Sequence, residues 1–139
     1  MATTQNQMLI EQLFNEVMND RKFSLLDQII DPAFVNHGIP DAKQGPSGFK
    51  QVIEQFLDGF PDMKIQIEQI VSEKDLVATR GYWTGTNSGS FMGMPSSGKK
   101  VRIDYIDFWK IKNGKCVENW VQMDMMSLMQ QVGAMQATA

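Results

Sequence analysis

Seven residues near the C-terminal end, Glu118-Asn119-Trp120-Val121-Gln122-Met123-Asp124, carry the densest chemical signal in the chain. In a β-strand successive side chains point to opposite faces. That alternation groups Glu118, Trp120, Gln122 and Asp124 on one face and Asn119, Val121 and Met123 on the other. Two carboxylates, an amide and an indole make a poor core face, because unpaired polar groups are costly to bury. They suit a pocket wall, where a few polar groups stand on an apolar surface. A carboxyl in such a wall acts as a general acid or base once burial brings its pKa toward neutrality. Asp124 is the candidate; its alternative role is to cap a helix starting at Met125-Met126-Ser127.

Other residues join this wall or compete with it. His37 is the single histidine, a group that titrates near neutral pH and both donates and accepts. It reads as a pocket residue bonded to substrate or to Asp124, or as a half-buried ring beside a turn. Arg80 shares a strand face with Leu76, Ala78 and Tyr82, so it is expected to pair with Asp107 or Glu118, or to meet substrate. Trp120 is expected in the pocket wall, with Phe56 and Phe60 closing the cavity from the helical side. Eleven methionines, Met92 and Met94 among them in a glycine-rich loop, read as core filling or as a plastic entrance. Gly85, Gly89 and Gly93 lack the spacing of a phosphate-binding loop.

The elements that must position these groups follow from periodicity. Residues 4–19 place Met8, Leu9, Leu13, Phe14, Val17 and Met18 at helical spacing, with Thr3 or Thr4 as a cap. A short helix is expected over 24–30, stopped by Pro32. Residues 34–37 read as extended, 38–40 as a turn and 41–46 as a loop. A third helix is expected over 47–58, with Phe49, Val52, Ile53, Phe56 and Leu57 on one face. Strands follow at 64–72, 76–86, 99–111 and 115–124, with a loop over 87–98 and a short closing helix at 125–133. Asn113-Gly114 is a strong hairpin signal. Helices first and then an antiparallel meander predict an α+β domain with helices packed on one face of a curved sheet. Ile103, Tyr105 and Trp109 alternate with Ile106 and Phe108, so the strands are apolar on both faces. One face is expected to line a cavity and the other to be covered by a second subunit.

Bulk properties exclude several classes. The 139 residues suit one domain, spanning 1–139, and the 42% hydrophobic content suits a globular chain. A net charge of −3 without Lys/Arg clusters gives no support for nucleic-acid binding. No apolar run reaches membrane-spanning length and no signal peptide is evident. Cys116 is the lone cysteine, which points to a reducing cytoplasm and, with one histidine, argues against structural zinc.

Taken in order, Val35-Asn36-His37-Gly38, Phe60-Pro61-Asp62-Met63, Asp75 to Arg80, Gly85 to Pro95, Gly98-Lys99, Asn113-Gly114-Lys115 and Glu118 to Asp124 resemble the SnoaL-like polyketide cyclases, the ester cyclase family of the NTF2-like superfamily. The resemblance covers about residues 8–133. It implies a cone-shaped α+β barrel around a deep pocket, with oligomer contacts on the outer sheet face. It implies intramolecular aldol ring closure of a polyketide ester without metal or organic cofactor. It matches the family's acid/base aspartate to Asp124 and its histidine to His37. The family's GTHxGxF reads here with Asn87 in place of histidine, and its PPTG reads Pro95-Ser96-Ser97-Gly98.

The expected function is therefore a cofactor-independent cyclase or isomerase acting on a small, largely apolar carbonyl compound, as a cytoplasmic homodimer. Asp124 and His37 are the expected catalytic pair. Trp120, Gln122, Arg80, Glu118, Tyr82, Phe56, Phe60, Asn87 and Met92 are the expected substrate contacts. Two rival readings use the same pocket. One is a non-catalytic holder of a small hydrophobic ligand. The other is an epoxide-hydrolase-like enzyme with Arg80, Asp107 and Asp124 holding a water.

Overall fold

A computed structural model describes residues 2–39 and 41–134, so Pro40 of the expected turn lies outside the described residues. The chain opens with α1 (Ala2–Gln12), which runs straight into a π-helical stretch, Leu13–Asn19. The helix begins at Ala2, so the expected cap at Thr3 or Thr4 falls inside it. A 3₁₀ turn (Phe23–Leu25) and α2 (Leu26–Ile29) lead to β1 (Ile30–Asn36). Next come α3 (Gly45–Gly59), β2 (Lys64–Glu73), β3 (Leu76–Thr86), β4 (Lys100–Lys112), β5 (Lys115–Met123) and α4 (Met125–Gln131).

Local chemistry accounts for these elements. Pro46 stands in the first turn of α3, where its missing N–H is not needed. Phe49, Val52, Ile53 and Phe56 then form that helix's buried stripe. Asn113 and Gly114 both take positive φ, 53° and 76°, as a two-residue hairpin requires. Along β4, Val101, Ile103, Tyr105, Asp107, Trp109 and Ile111 are buried while their neighbours point outward.

The sheet order is β1-β5-β4-β3-β2. The expected antiparallel meander is present in β2 to β5, but β1 adds a parallel edge, making the sheet mixed. Pro32 is tolerated in β1 because an edge strand leaves one side unpaired. Besides an irregularity in β1 between Ile30 and Val35, two register shifts shape the antiparallel part of the sheet. One falls in β2 between Ile67 and Gln69, leaving Glu68 as the extra residue. The other falls between β4 and β5, where Lys110 faces Glu118 but Ile111 faces Cys116, so Val117 is extra. Such bulges bend a strand and increase its twist.

The helices cover the concave face of this bent sheet. Trp109 anchors the core, ringed by Phe14, Phe34 and Phe49 with centroids 6.0–6.3 Å away. A second aromatic group joins Trp83, Phe56, Phe60 and Phe91. Among the described residues no helix is long and apolar enough to cross a membrane.

Candidate active site

Between the two aromatic groups the helices and the sheet leave a cavity of about 630 Å³. Phe14 and Met18 reach it from the π-helical stretch, and Phe49, Val52 and Phe56 from α3. The sheet supplies the polar groups. Its inner face presents Tyr105, Asp107 and Trp109 from β4 beside Asn119, Val121 and Met123 from β5.

Asp107 is the chemical centre of this surface. It is 3% exposed. The Thr79 hydroxyl donates to Asp107 Oδ1 over 2.6 Å. Thr79 has a single proton and gives it to Asp107, so Tyr105 donates its own hydroxyl to Thr79 Oγ1 over 3.0 Å. Burial pushes the Asp107 carboxyl up to about 7, and the Thr79 hydrogen bond, which favours the charged form, only partly opposes it. Burial likewise raises the Tyr105 phenol, so that hydroxyl stays protonated at neutral pH.

The entrance lies under the loop between β3 and β4. Asn87, 3% exposed, ties the loop's base together: its Nδ2 donates to the Gly59 and Gly89 carbonyls, and its Oδ1 accepts from Ser97 N and Oγ. Phe91 docks against Phe56 and Phe60, into space kept free because Gly59 has no side chain. Met92, 68% exposed with φ of 50°, stands at the rim.

Residues 8–132 match the SnoaL-like polyketide cyclase family. The chain belongs to this family. Solved structures of SnoaL-like proteins have the same NTF2-like fold. TsrD from Streptomyces laurentii is 25% identical, covering 95% of this chain and 97% of that one, with a TM-score of 0.87. IdmH from Streptomyces antibioticus, described as a candidate polyketide cyclase, is 29% identical over 93% of this chain and 99% of that one, with a TM-score of 0.82. A candidate polyketide cyclase from Bacillus cereus is 27% identical over 94% and 81%, with a TM-score of 0.79. No curated protein matches the sequence.

In this SnoaL-like chain the face of β5 that lines the cavity is the one opposite to expectation. Glu118 and Trp120 point outward, and Trp120 is 40% exposed. Gln122 is exposed and touches the cavity at its rim. The physical reason is the extra residue at Val117. An unbroken hairpin would set Trp120 opposite Asp107, on the inner face. The bulge sets Val121 there instead, and a one-residue slip turns every later side chain over.

Asp124 lies outside the cavity lining; it is exposed and caps α4, accepting from Ser127 N over 3.0 Å. His37 also lies outside the lining. Its ring stacks on Trp120 at 5.0 Å, and its Nε2 is 3.2 Å from Glu118 Oε1. His37, Glu118 and Trp120 are therefore brought together, but on the outer surface, while Asn36 and Gly38 on either side of His37 line the cavity.

Arg80 is exposed on the outer face, bonded to Gln69 and 3.8 Å from Glu68, so the expected pairing with Asp107 or Glu118 is replaced. The Asp–Arg–Asp arrangement of the epoxide-hydrolase reading does not form, because Arg80 and Asp107 occupy opposite faces. Tyr82 is also outward, with the Arg102 guanidinium 3.6 Å above its ring. Phe56 lines the cavity, and Phe60 stands behind it, fully buried against Trp83 and Phe91. Asn87 serves the loop rather than the lining. Sequence reasoning considered Asp107 as a partner for Arg80 and as a water-holding residue of the epoxide-hydrolase reading, and passed over Thr79, Tyr105 and Asn119 as site residues. The signal was present: Asp107 interrupts the apolar alternation Ile103, Tyr105, Trp109, Ile111.

Proposed function

We propose that the chain is a cofactor-independent cyclase that closes a ring in a small, largely apolar ester of polyketide type, with Asp107 as its acid/base. The observation that carries this reading is one buried carboxyl, poised near neutrality, on the wall of a mostly apolar cavity. An acid/base works best when its pKa lies near the working pH. The Asp107 carboxylate takes a proton from the carbon beside a carbonyl. The carbanion attacks a second carbonyl of the same molecule, and Asp107 returns the proton to the alkoxide. The product is an isomer of the substrate, and the carboxyl ends as it began. Thr79 fixes the carboxyl by one of its oxygens. The role that the resemblance gave to Asp124 passes to Asp107.

The test is incubation with small methyl β-keto esters that carry a further ketone placed to close a six-membered ring, no metal or cofactor added, followed by chromatography and mass spectrometry. Wild type and Asp124→Ala should both form a ring-closed isomer of unchanged mass. Asp107→Asn should be slower by about 10²–10⁴-fold, the usual contribution of a general acid/base. Esters retained but recovered unchanged would favour the ligand-holding reading instead.

The outer sheet face supports a homodimer. Val71, Leu76, Ile106, Phe108 and Trp120 are large apolar side chains left open to solvent on it, Ile106 at 57% and Phe108 at 47%. Monomers rarely expose a contiguous apolar patch of this kind without using it. Sedimentation at micromolar concentration should give a dimer, and Phe108→Glu should give a monomer with the cavity intact. A monomeric wild type would remove this part of the proposal. The buried, lone Cys116 fits a reducing compartment, and the cytoplasm is the proposed location.

A further inference from the structure

Four polar side chains are buried among the described residues: Thr79, Asn87, Asp107 and Asn119. Three of them are accounted for by the fold. Thr79 and Asp107 bond each other, and Asn87 bonds the base of the entrance loop. Asn119, 2% exposed, is different. Its Oδ1 is enclosed and accepts no hydrogen bond, and its Nδ2 donates to no described residue. Turning the amide over exchanges its two ends and leaves an unpaired group either way. A buried amide without partners weakens the fold, and buried polar groups normally have one. Val121 and Met123 occupy the same inner face with apolar side chains, so nothing in the strand demands an amide at 119.

Its surroundings say what it faces. Asn119 is on the cavity wall. It stands opposite Trp109, while Asp107 stands opposite Val121. Asn119 and Asp107 are thus diagonal neighbours on one sheet face, a separation of about 7–8 Å. A carbonyl group and its adjoining carbon, hydrogen-bonded at both ends, fill that span. The cavity lining holds no lysine, arginine or histidine among the described residues, so an anionic group would meet no counter-charge there.

We propose that Asn119 grips the carbonyl oxygen of an uncharged ketone or ester beside Asp107. This rests on the cyclase reading. When Asp107 takes the α-proton, the C–H electron pair becomes the enolate double bond. The carbonyl π pair moves onto oxygen, where the Asn119 N–H receives it. The strengthened hydrogen bond stabilises the enolate, because a donor fixed in place is strongest where charge develops. As the enolate carbon attacks the second carbonyl, that pair returns to the C=O bond.

The test needs no turnover. Binding of 1-tetralone, a neutral aryl ketone, is compared with binding of tetralin, the same skeleton without the oxygen, by tryptophan fluorescence and amide-detected NMR. Wild type should favour the ketone by about tenfold, the effect of one well-made hydrogen bond. The Asn119 side-chain amide resonances should move with the ketone and not with tetralin. Asn119→Leu, which keeps the same branched skeleton of four side-chain heavy atoms, should keep its affinity for tetralin and lose the preference. A preference that survives Asn119→Leu, or unmoved Asn119 resonances in wild type, overturns the proposal whether or not the variant folds well. The two readings fail separately. Ketone preference without ester turnover leaves the grip in a ligand holder; turnover without the preference leaves the cyclase and removes Asn119.

Discussion

Asp107→Asn should make the protein more stable at pH 8 while slowing its proposed chemistry by about 10²–10⁴-fold. Burial holds the Asp107 carboxyl at about 7 in the native state, against an ordinary value of 3.8. The native state therefore keeps a proton that the unfolded chain releases near pH 4. Between those values the folded form binds more protons, so stability falls as pH rises. The full benefit of the neutral carboxyl is present below about pH 4 and is gone above about pH 7. Over roughly three pH units the linkage is about 4 kcal/mol, as an order of magnitude. An asparagine at 107 can still accept from Thr79 and never ionises, so its stability curve should lack this slope. Thermal midpoints between pH 3.5 and 8.5 measure the difference, expected to reach ~10 °C at the alkaline end for a domain of this size. Parallel curves for the two proteins would mean that the carboxyl is not held as described.

Gly81→Ala should be strongly destabilising for so small a substitution. Gly81 lies opposite Ile67, beside the β2 bulge at Glu68. A Cβ built there runs into the Gln66 carbonyl oxygen, which is backbone and cannot swing aside. The strand must either lose its bulge or move away from β2. We expect a loss of about 3 kcal/mol, at the upper end of overpacking effects, read as a lower urea midpoint with an unchanged slope. A midpoint within error of wild type would show that β2 has more room than the glycine suggests.

The elements were largely legible because their signals are local. The stripe on α3, the Asn113-Gly114 turn and the alternation along β4 each follow from a few neighbouring side chains. The parallel pairing of β1 with β5 was not, since it joins segments more than eighty residues apart through backbone groups alone. The site was misread for a more specific reason. Alternation in β5 correctly separated Glu118, Trp120 and Gln122 from Asn119, Val121 and Met123, but which set faces inward depends on register. Val117 carries no mark of being the extra residue; it becomes one because Asn119, Val121 and Met123 must meet Trp109, Asp107 and Tyr105. The polar set then falls outside, where Trp120 stacks on His37. A closer reading of β4 could have found Asp107. Its partners Thr79 and Tyr105 lie on neighbouring strand positions that only the folded sheet brings together.

The clamp formed by Asn87 separates the doorway from the walls. It fastens Gly59, Gly89 and Ser97 at the base of the loop, and Phe91 and Met94, which exchange two backbone hydrogen bonds, pin the near limb, so Pro95 and Ser96 form an exposed tip. Lengthening such a tip costs little, about 0.6 kcal/mol for each doubling of a flexible loop. A lineage can therefore resize this entrance by insertion or deletion, admitting bulkier or slimmer molecules, while the interior of the cavity is inherited unchanged.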